Sequence, residues 1–598
     1  MGFFSRLKRD IRFAQAANSL SQRIKPIKAD STELVCDDFE AAVDKWPDRV
    51  AVVDEARSVS YRELDMLANR YGHWAKSRNL RRGDTVALVL PNRIEFLAAW
   101  LGFSKVGVAA ALINNQLTGA ALTHCIRISK AHHVVADLET WQAVEEAGRG
   151  LGHALMVWVL GLEEDDEASS RRGLDAAIKG ASAVRPDRLV REGLTNRSTV
   201  LYIYTSGTTG LPKAAVISNS RARLYMRAFA AVTETKPADR VYCVLPLYHS
   251  TGGLCAVGAA LLNGAALIVR KRFSATHFWP DVVATEATRF VYIGELCRYL
   301  VNQPENPAER AHKLQLAFGN GLRGDVWEEF QTRFRIPKIL EFYGSTEGNA
   351  SVFNFDGKAG AIGRIPGFLR HRMNLRLVRF DPETEQPVRG PNGLLQETAP
   401  GEIGEAVGMI GTEARHEFVG YADKAASQKK VIEDVFSRGD RWFRTGDLMR
   451  RDHEGYFYFV DRIGDTFRWK GENVSTTEVE LRLAEAPNVA EAIVYGVPVP
   501  GADGKAGMAC LVSEGRFNAK AFAAYVDAEL PSYARPVFLR LRKTMDTTGT
   551  FKYRKVDLVA DGFDPSKTSD LIYVRDKATY VRMKPERYAE ILHGQAKL

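Results

Sequence analysis

Over roughly the first 350 residues, short apolar runs alternate with stretches whose apolar positions recur at helical spacing. "DTVALVLP" reads as a buried strand and the following "NRIEFLAAWLGFSKVG" as a helix. "LQLAFGNG" and "GDVWEEFQTRF" repeat the pair, with Asp325 placed to cap the second helix. Strands and helices alternating in this way predict βα units, and therefore parallel sheets covered by helices. From about residue 375 to 460, turn residues cluster between short β-like runs, as in "DPETEQPVRGPNG" and "APGEIGE", which predicts an antiparallel or barrel-like segment. The dipeptide "DR" at 461–462 opens another unit with its own patterns, "TTEVELRLAEA" and "VAEAIVYGVPV". The predicted class is α/β. A large domain of βα-layered sheets with a β-barrel-like segment spans 31–460, a small mobile α+β domain 461–557, and a basic, Tyr-rich extension with no separate core 558–598.

Residues 1–30 follow a different pattern. "MGFFSRLKRDIRFAQAANSL" sets Phe3, Phe4, Leu7, Ile11 and Phe13 among Arg6, Lys8, Arg9 and Arg12. This is a basic amphipathic helix, suited to lying on an anionic membrane and equally to packing on its own domain. It lacks the long apolar core and cleavage site of a secretory signal. The longest uncharged run, Gly252 to Val269, is rich in Gly and Ala and contains Asn263, so it predicts a buried helix and strand rather than a membrane span.

Composition refines this picture only slightly. With 598 residues, 45% hydrophobic and 26% charged, the chain is an ordinary globular one, long enough for two or more domains. The net charge of +9 suits anionic small ligands or an anionic membrane surface. Basic runs and aromatic repeats are missing, so no nucleic-acid partner is expected. The six cysteines are scattered without a Cys-x-x-Cys pair, which predicts reduced thiols, a cytoplasmic setting (at the inner face of the cell membrane if the first helix binds lipid) and no zinc site.

The candidate chemistry begins at 201–213, "LYIYTSGTTGLPK". A strand empties into Thr205, Ser206, Gly207, Thr208, Thr209 and Gly210 and ends at Lys213. Backbone N–H groups and hydroxyls in such a loop can turn toward one anion, and the lysine adds a point charge. The spacing is not that of a Walker A loop, and a plain glycine turn is the alternative for the loop taken alone.

The nine-residue string resembles the phosphate loop of the adenylate-forming enzymes, which include acyl-CoA synthetases, luciferases and peptide-synthetase adenylation domains. Their further motifs follow in order: "GNGLR" (319–323), "YGSTEG" (343–348), "RTGD" (444–447), "DRIGD" (461–465), "KGEN" (470–473) and "TGTFKYRK" (548–555). "YIGELCRYL" and "DRIGDTFRWKGENVSTTEV" look like signatures of the very-long-chain acyl-CoA synthetase and fatty-acid transport protein branch, and the likeness is closest to its bacterial long-chain fatty-acid–CoA ligases.

The resemblance implies ATP, Mg²⁺ and coenzyme A, with a fatty acid as substrate. Gly319, Asn320 and Gly321 would approach the adenine, and Tyr343, with Gly344 and Ser345 after it, would offer a flat face to the base. Thr346 would meet a phosphate, and Glu347, together with Thr205, would bind Mg²⁺. Asp447 would accept the ribose hydroxyls, and Arg462 would bind ribose or phosphate. His249, in "LPLYHSTGG", would lie near the acyl carboxylate, or else be a buried helix-start histidine. Segments 249–258 and 290–300 would line the acyl tunnel. Lys552 would stabilise the adenylation transition state, with Lys555 as its rival, because two residues separate Gly549 from Lys552 where most of the family has a Gly-Lys doublet. Gly464 would be the pivot of the small domain, and the loop at Gly471 would serve the thioester step. Two other functions stay open at this point: delivery of the acyl group to a carrier protein, and membrane transport of fatty acid. Oligomeric state and chain-length preference are not legible.

Overall fold

The computed structural model describes residues 3–25, 27–162, 171–205, 211–381, 384–469, 472–500, 502, 504–547, 553 and 555–593. The chain divides into two compact units. The first comprises Met1–Asn374, Gly408–Ile432 and Arg441–Phe443, and the second Leu375–Val407, Glu433–Asp440 and Arg444–Leu598.

Two sheets form the first unit. One runs in the order Arg171–Gly173, Met156–Leu160, His133–Asp137, Thr85–Val89, Ala109–Leu112, Thr199–Thr205, Lys213–Ser218. All its neighbours are parallel except the last, which folds back antiparallel on Thr199–Thr205. The other runs Ser351–Asn354, Lys338–Gly344, Leu316–Asn320, Arg289–Ile293, Arg240–Cys243, Ala266–Val269, Val50–Val53, Ser58–Ser60, and is antiparallel only at its two ends. Both predicted βα pairs form, as Thr85–Val89 with Ile94–Lys105 and as Leu316–Asn320 with Gly324–Arg333. Asp325 does not cap its helix. Arg323 holds the cap position, and Asp325 lies in the first turn, ion-paired to Arg323 at 2.6 Å.

Ile94–Lys105 is buried on every side, as its nearly unbroken apolar sequence requires. Its neighbour Tyr61–Ser77 comes close enough that a Cβ on Gly102 would lie 2.1 Å from the Ala68 carbonyl oxygen. Lys105 ends this helix fully buried, with Nζ 2.5 Å from Asp65, 3.0 Å from Glu40 and 2.7 Å from Asn69. The uncharged run from Gly252 becomes a π-helical turn, Thr251–Ala256, a short α-helix, Val257–Leu261, and a buried strand, Ala266–Val269. Among the described residues, no helix is long and apolar enough to cross a membrane.

The N-terminal helix, Phe3–Ile24, docks on the first unit through its middle and its end. Phe13 is buried edge-on against Phe355, Asp10 pairs with Arg364, and Arg23 donates to Asn263 Oδ1 at 2.8 Å. Leu7 and Ile11, one turn apart, stay 47% and 49% exposed.

In the second unit, the turn-rich segment forms an open sheet in which Tyr456–Arg462, Arg441–Arg451, Ile403–Met409, Leu375–Asp381 and Gln386–Pro387 follow one another. No strand closes it into a barrel among the described residues. A five-stranded sheet follows, ordered Val489–Pro498, Lys505–Ser513, Phe538–Arg542, Leu571–Asp576, Thr579–Arg582. Its core takes in Phe563, Ile572, Val574, Tyr580 and Ile591, so the described part of the C-terminal extension completes this core instead of forming its own.

Removing one member of a buried charge cluster leaves the others uncompensated. Lys105→Ala, facing two buried carboxylates, is therefore expected to cost about 3–5 kcal/mol. Urea unfolding measures this, and a loss under about 1 kcal/mol would mean that the carboxylates regain water.

Candidate active site

Parallel strands carry their carboxyl ends, and the loops that follow, to one edge of a sheet. In the second sheet of the first unit, Arg240–Cys243, Arg289–Ile293, Leu316–Asn320 and Lys338–Gly344 are successive parallel neighbours. The segments holding His249, Gly294, Gly319–Gly321 and Tyr343–Glu347 therefore leave from the same edge.

Contacts at this edge join the motifs. Ser250 Oγ lies 3.0 Å from Thr346 Oγ1, so the turn after His249 meets the "YGSTEG" segment. His249 itself is half-buried and precedes the π-helical turn, its carbonyl accepting from Gly253 N–H at 2.7 Å. Glu347 Oε1 accepts from Tyr421 Oη at 2.8 Å. Lys213 Nζ lies 5.8 Å from the centre of the Tyr421 ring, a cation–π distance. Tyr421 is delivered there because Gly420–Ala422 runs alongside Lys213–Ser218: Val216 N–H donates to Gly420 O, and Ala422 N–H to Ala214 O, each at 2.9 Å. Thr205 and Lys213 pair across the hairpin that brackets the phosphate loop.

A brace that the sequence did not suggest holds the 345–346 backbone. From one face of the helix Asn219–Val232, buried Arg221 donates to Thr346 O at 3.0 Å and Ser345 O at 3.2 Å, and Tyr225 Oη donates to Ser345 O at 2.7 Å. Burial pushes the Tyr225 phenol up, with Arg221 opposing, so it stays protonated as a donor. The only signal in the sequence was the spacing of Arg221 and Tyr225 one turn apart after a Ser218 cap. Tyr421 carried none.

Two buried side-chain atoms in this region have no protein partner, Asn320 Oδ1 and Ser345 Oγ. Orphaned polar atoms are uncommon in folded proteins, and here both belong to loops that leave the same edge of the sheet. No group of three or more His, Cys, Asp or Glu that could hold a metal ion occurs among the described residues. Glu347 and Thr205 offer hard oxygens, and Mg²⁺ characteristically uses one or two protein oxygens plus phosphates and water, so this donor set fits it.

In the second unit, Asp447 and Arg462 are cross-strand partners, with Arg462 Nε 3.3 Å from Asp447 Oδ1. Asp447 is buried and Arg462 exposed. Gly464 has φ +93° with open space at its Cβ position, so a left-handed backbone conformation and not crowding favours glycine there. Lys555 sits in an acidic cluster, its Nζ 2.8 Å from Glu480 Oε1 and 3.2 Å from Thr476 Oγ1. Burial pulls its pKa down, but Glu480, Asp465 and Asp461 outweigh this and leave it raised. Ser206, Gly207, Thr208, Thr209, Gly210, Gly471 and Lys552 lie outside the described residues.

The family model for AMP-binding enzymes matches residues 39–406, and that for the AMP-binding enzyme C-terminal domain matches 478–552. The long-chain fatty acid transport protein 1 of Mus musculus is 40% identical over 570 residues, covering 94% of this chain and 88% of that protein. Long-chain fatty acid transport protein 2 of Rattus norvegicus is 38% identical over 603 residues, covering 99% and 96%. Among solved structures, the anthranilate CoA ligase AuaEII in complex with anthranoyl-AMP superposes with a TM-score of 0.74 at 18% identity, over 90% of this chain and 98% of that one. A Mycobacterium tuberculosis fatty acyl CoA synthetase gives 0.62 at 22% identity, over 88% and 98%. The chain therefore has the acyl-CoA ligase fold.

Arg221→Met removes two charge-assisted hydrogen bonds to the 345–346 carbonyls, each worth about 2 kcal/mol. Amide hydrogen exchange across 344–348 is expected to speed up by tens of fold while the core strands keep their protection. Unchanged exchange there would overturn the bracing role.

Proposed function

The chain belongs to the AMP-binding enzymes, and we propose that it is a fatty-acid–CoA ligase acting on long or very long chains in two steps. A fatty carboxylate oxygen attacks the α-phosphorus of ATP, forming acyl-AMP and expelling pyrophosphate. The thiol sulfur of coenzyme A then forms a thioester at the acyl carbon as AMP leaves and the thiol proton passes to solvent.

The observation that carries this reading is the Glu347–Tyr421–Lys213 cluster, which joins the acidic motif to the phosphate loop. Lys213 offers positive charge to the β- and γ-phosphates, supported by the hydroxyls and N–H groups of 205–210. Mg²⁺, held by Glu347 with Thr205, would neutralise phosphate charge. Thr346, kept in place by Ser250 and Arg221, presents a hydroxyl to a phosphate. Gly319–Gly321 and Tyr343–Ser345 form the adenosine side of the site, and His249 its acyl carboxylate side. Asp447 accepts the ribose hydroxyls and Arg462 contacts ribose or phosphate. A long fatty chain is supported by the two mammalian relatives, named for fatty acid transport at 40% and 38% identity. Ligation would turn the acid into charged acyl-CoA and trap it inside the cell, so uptake can accompany catalysis without a pore.

Lys552 is the adenylation lysine in this reading. Lys555, held by Glu480 and Thr476, instead anchors the segment that carries it. Lys552→Ala is expected to slow AMP and pyrophosphate formation by at least about 100-fold while still converting supplied acyl-AMP to thioester. Lys555→Ala is expected to lower the unfolding temperature. Equal loss of both half-reactions in Lys552→Ala would overturn the assignment. Coenzyme A-dependent AMP release over fatty acids of graded length tests the reaction itself, and thioester formed only on a carrier protein would replace coenzyme A as the acceptor.

The exposed Leu7 and Ile11 on the basic first helix support peripheral membrane contact in this reading. Leu7→Asp with Ile11→Asp is expected to reduce co-sedimentation with phosphatidylglycerol vesicles at least about threefold. Unchanged binding would remove the helix from that role.

A further inference from the structure

Tyr292, Gly319 and Glu341 stand in one row across three adjacent parallel strands, Tyr292 opposite Gly319 and Gly319 opposite Glu341. The central position has no side chain, and the two outer side chains meet over it: Tyr292 Oη donates to Glu341 Oε2 at 2.5 Å. A Cβ on Gly319 would fall 2.6 Å from the Tyr292 ring and 2.1 Å from its carbonyl oxygen, so only glycine leaves room for this bridge. The other carboxyl oxygen, Oε1, accepts the Leu322 N–H at 3.1 Å, just past the glycine loop. Both side chains are essentially without solvent exposure. On the far side the same loop is pressed against Gly294, where a Cβ would lie 1.7 Å from the Gly321 carbonyl oxygen.

From this we propose that Glu341 is a positioning residue for nucleotide binding: with Tyr292 it fixes the 319–322 backbone in the shape that receives adenosine. The proposal rests on the assignment of that loop to the adenosine side of the site. Glu341 touches no nucleotide; it acts through the Leu322 amide and through the Tyr292 ring packed on Gly319. Tyr292 stands in the 290–300 segment expected to line an acyl tunnel, yet its hydroxyl is turned to the nucleotide loop. Burial pushes the Glu341 carboxyl up to about 8, against opposing hydrogen bonds from Tyr292 and the Leu322 and Gly321 amides. A neutral group of the same shape can therefore replace it.

The experiment compares wild type, Glu341→Gln, Glu341→Leu and Tyr292→Phe as full-length proteins. It measures ATP affinity by calorimetry and the ATP and fatty-acid dependence of thioester formation. Glu341→Gln keeps an oxygen acceptor for Leu322 and reverses the bond to Tyr292, its side-chain N–H donating to Tyr292 Oη, so it should bind ATP within about twofold of wild type. Glu341→Leu should weaken ATP binding and raise the KM for ATP about tenfold, and Tyr292→Phe several-fold, with kcat at saturating ATP and the KM for fatty acid within about twofold. ATP affinity unchanged in both Glu341→Leu and Tyr292→Phe, or a fall in kcat with no change in the KM for ATP, would overturn the positioning role. So would a Glu341→Gln protein as impaired as Glu341→Leu. Wild type that binds ATP but forms no thioester would refute the ligase reading alone, since the binding arm still judges Glu341. Wild type that binds no ATP would refute both.

Discussion

In a parallel sheet every strand must travel back to its starting edge before the next can begin, so all the outgoing loops gather at the opposite edge. The rest of the first unit depends on that constraint. In the sheet containing Leu316–Asn320, the strand Arg240–Cys243 has Ala266–Val269 on one side and Arg289–Ile293 on the other. The connection from Arg240–Cys243 runs to Ala266–Val269 and that from Arg289–Ile293 runs the other way to Leu316–Asn320, the arrangement at which a parallel sheet leaves room for a ligand beyond its carboxyl ends. The loop before Ser250 and the turn at Gly294 follow the two strands from which these connections part. Chemistry written at widely separated places in the chain, at 249–250 and 343–347, becomes local there with no need for a specialised scaffold.

What the sequence could reveal follows from this arrangement. Loops at strand ends carry short runs of Gly, Ser and Thr that stand out against apolar neighbours, so the 205–213, 319–323 and 343–348 segments were legible, as was the alternation that predicts the sheets. Supporting contacts were not. Arg221 reaches the backbone of Ser345 and Thr346 over more than a hundred residues of chain, and any well-packed helix could carry an arginine there. Tyr421 meets Glu347 only because its segment lies along the strand after the phosphate loop, a pairing with no periodic signature. The misplaced cap at Asp325 has a similar origin: an acid near a helix start fits either the cap or the first turn, and its ion pair with Arg323 decides between them.

Under the proposed function, two lysines three residues apart in the second unit do different work. Asp461 receives the Thr476 N–H at 2.7 Å at the start of the helix Thr476–Ala484, and Lys555 bonds the hydroxyl of the same threonine. A half-buried lysine beside Glu480, Asp461 and Asp465 stabilises by staying charged and stationary. A transition-state lysine instead needs its ammonium directed at a substrate phosphate. These demands conflict, so one side chain cannot easily meet both. That conflict, and not the spacing from Gly549, is the physical ground for assigning the two lysines different work.

Glycine is usually read in such sequences as freedom for the backbone, and Gly321, at φ +81°, fits that reading. Gly319 and Gly294 do not. Their backbones are ordinary; what matters is the volume they leave empty, taken up by the Tyr292 ring at one position and by the Gly321 carbonyl at the other. The loop assigned to adenosine is therefore held rigid by what its glycines admit. Flexible glycines would have to be ordered at the moment of binding, at a conformational cost, whereas glycines filled by a neighbour's side chain or backbone are already ordered. A tyrosine and a carboxyl, both shielded from water and hydrogen-bonded to each other, supply that order from within the fold.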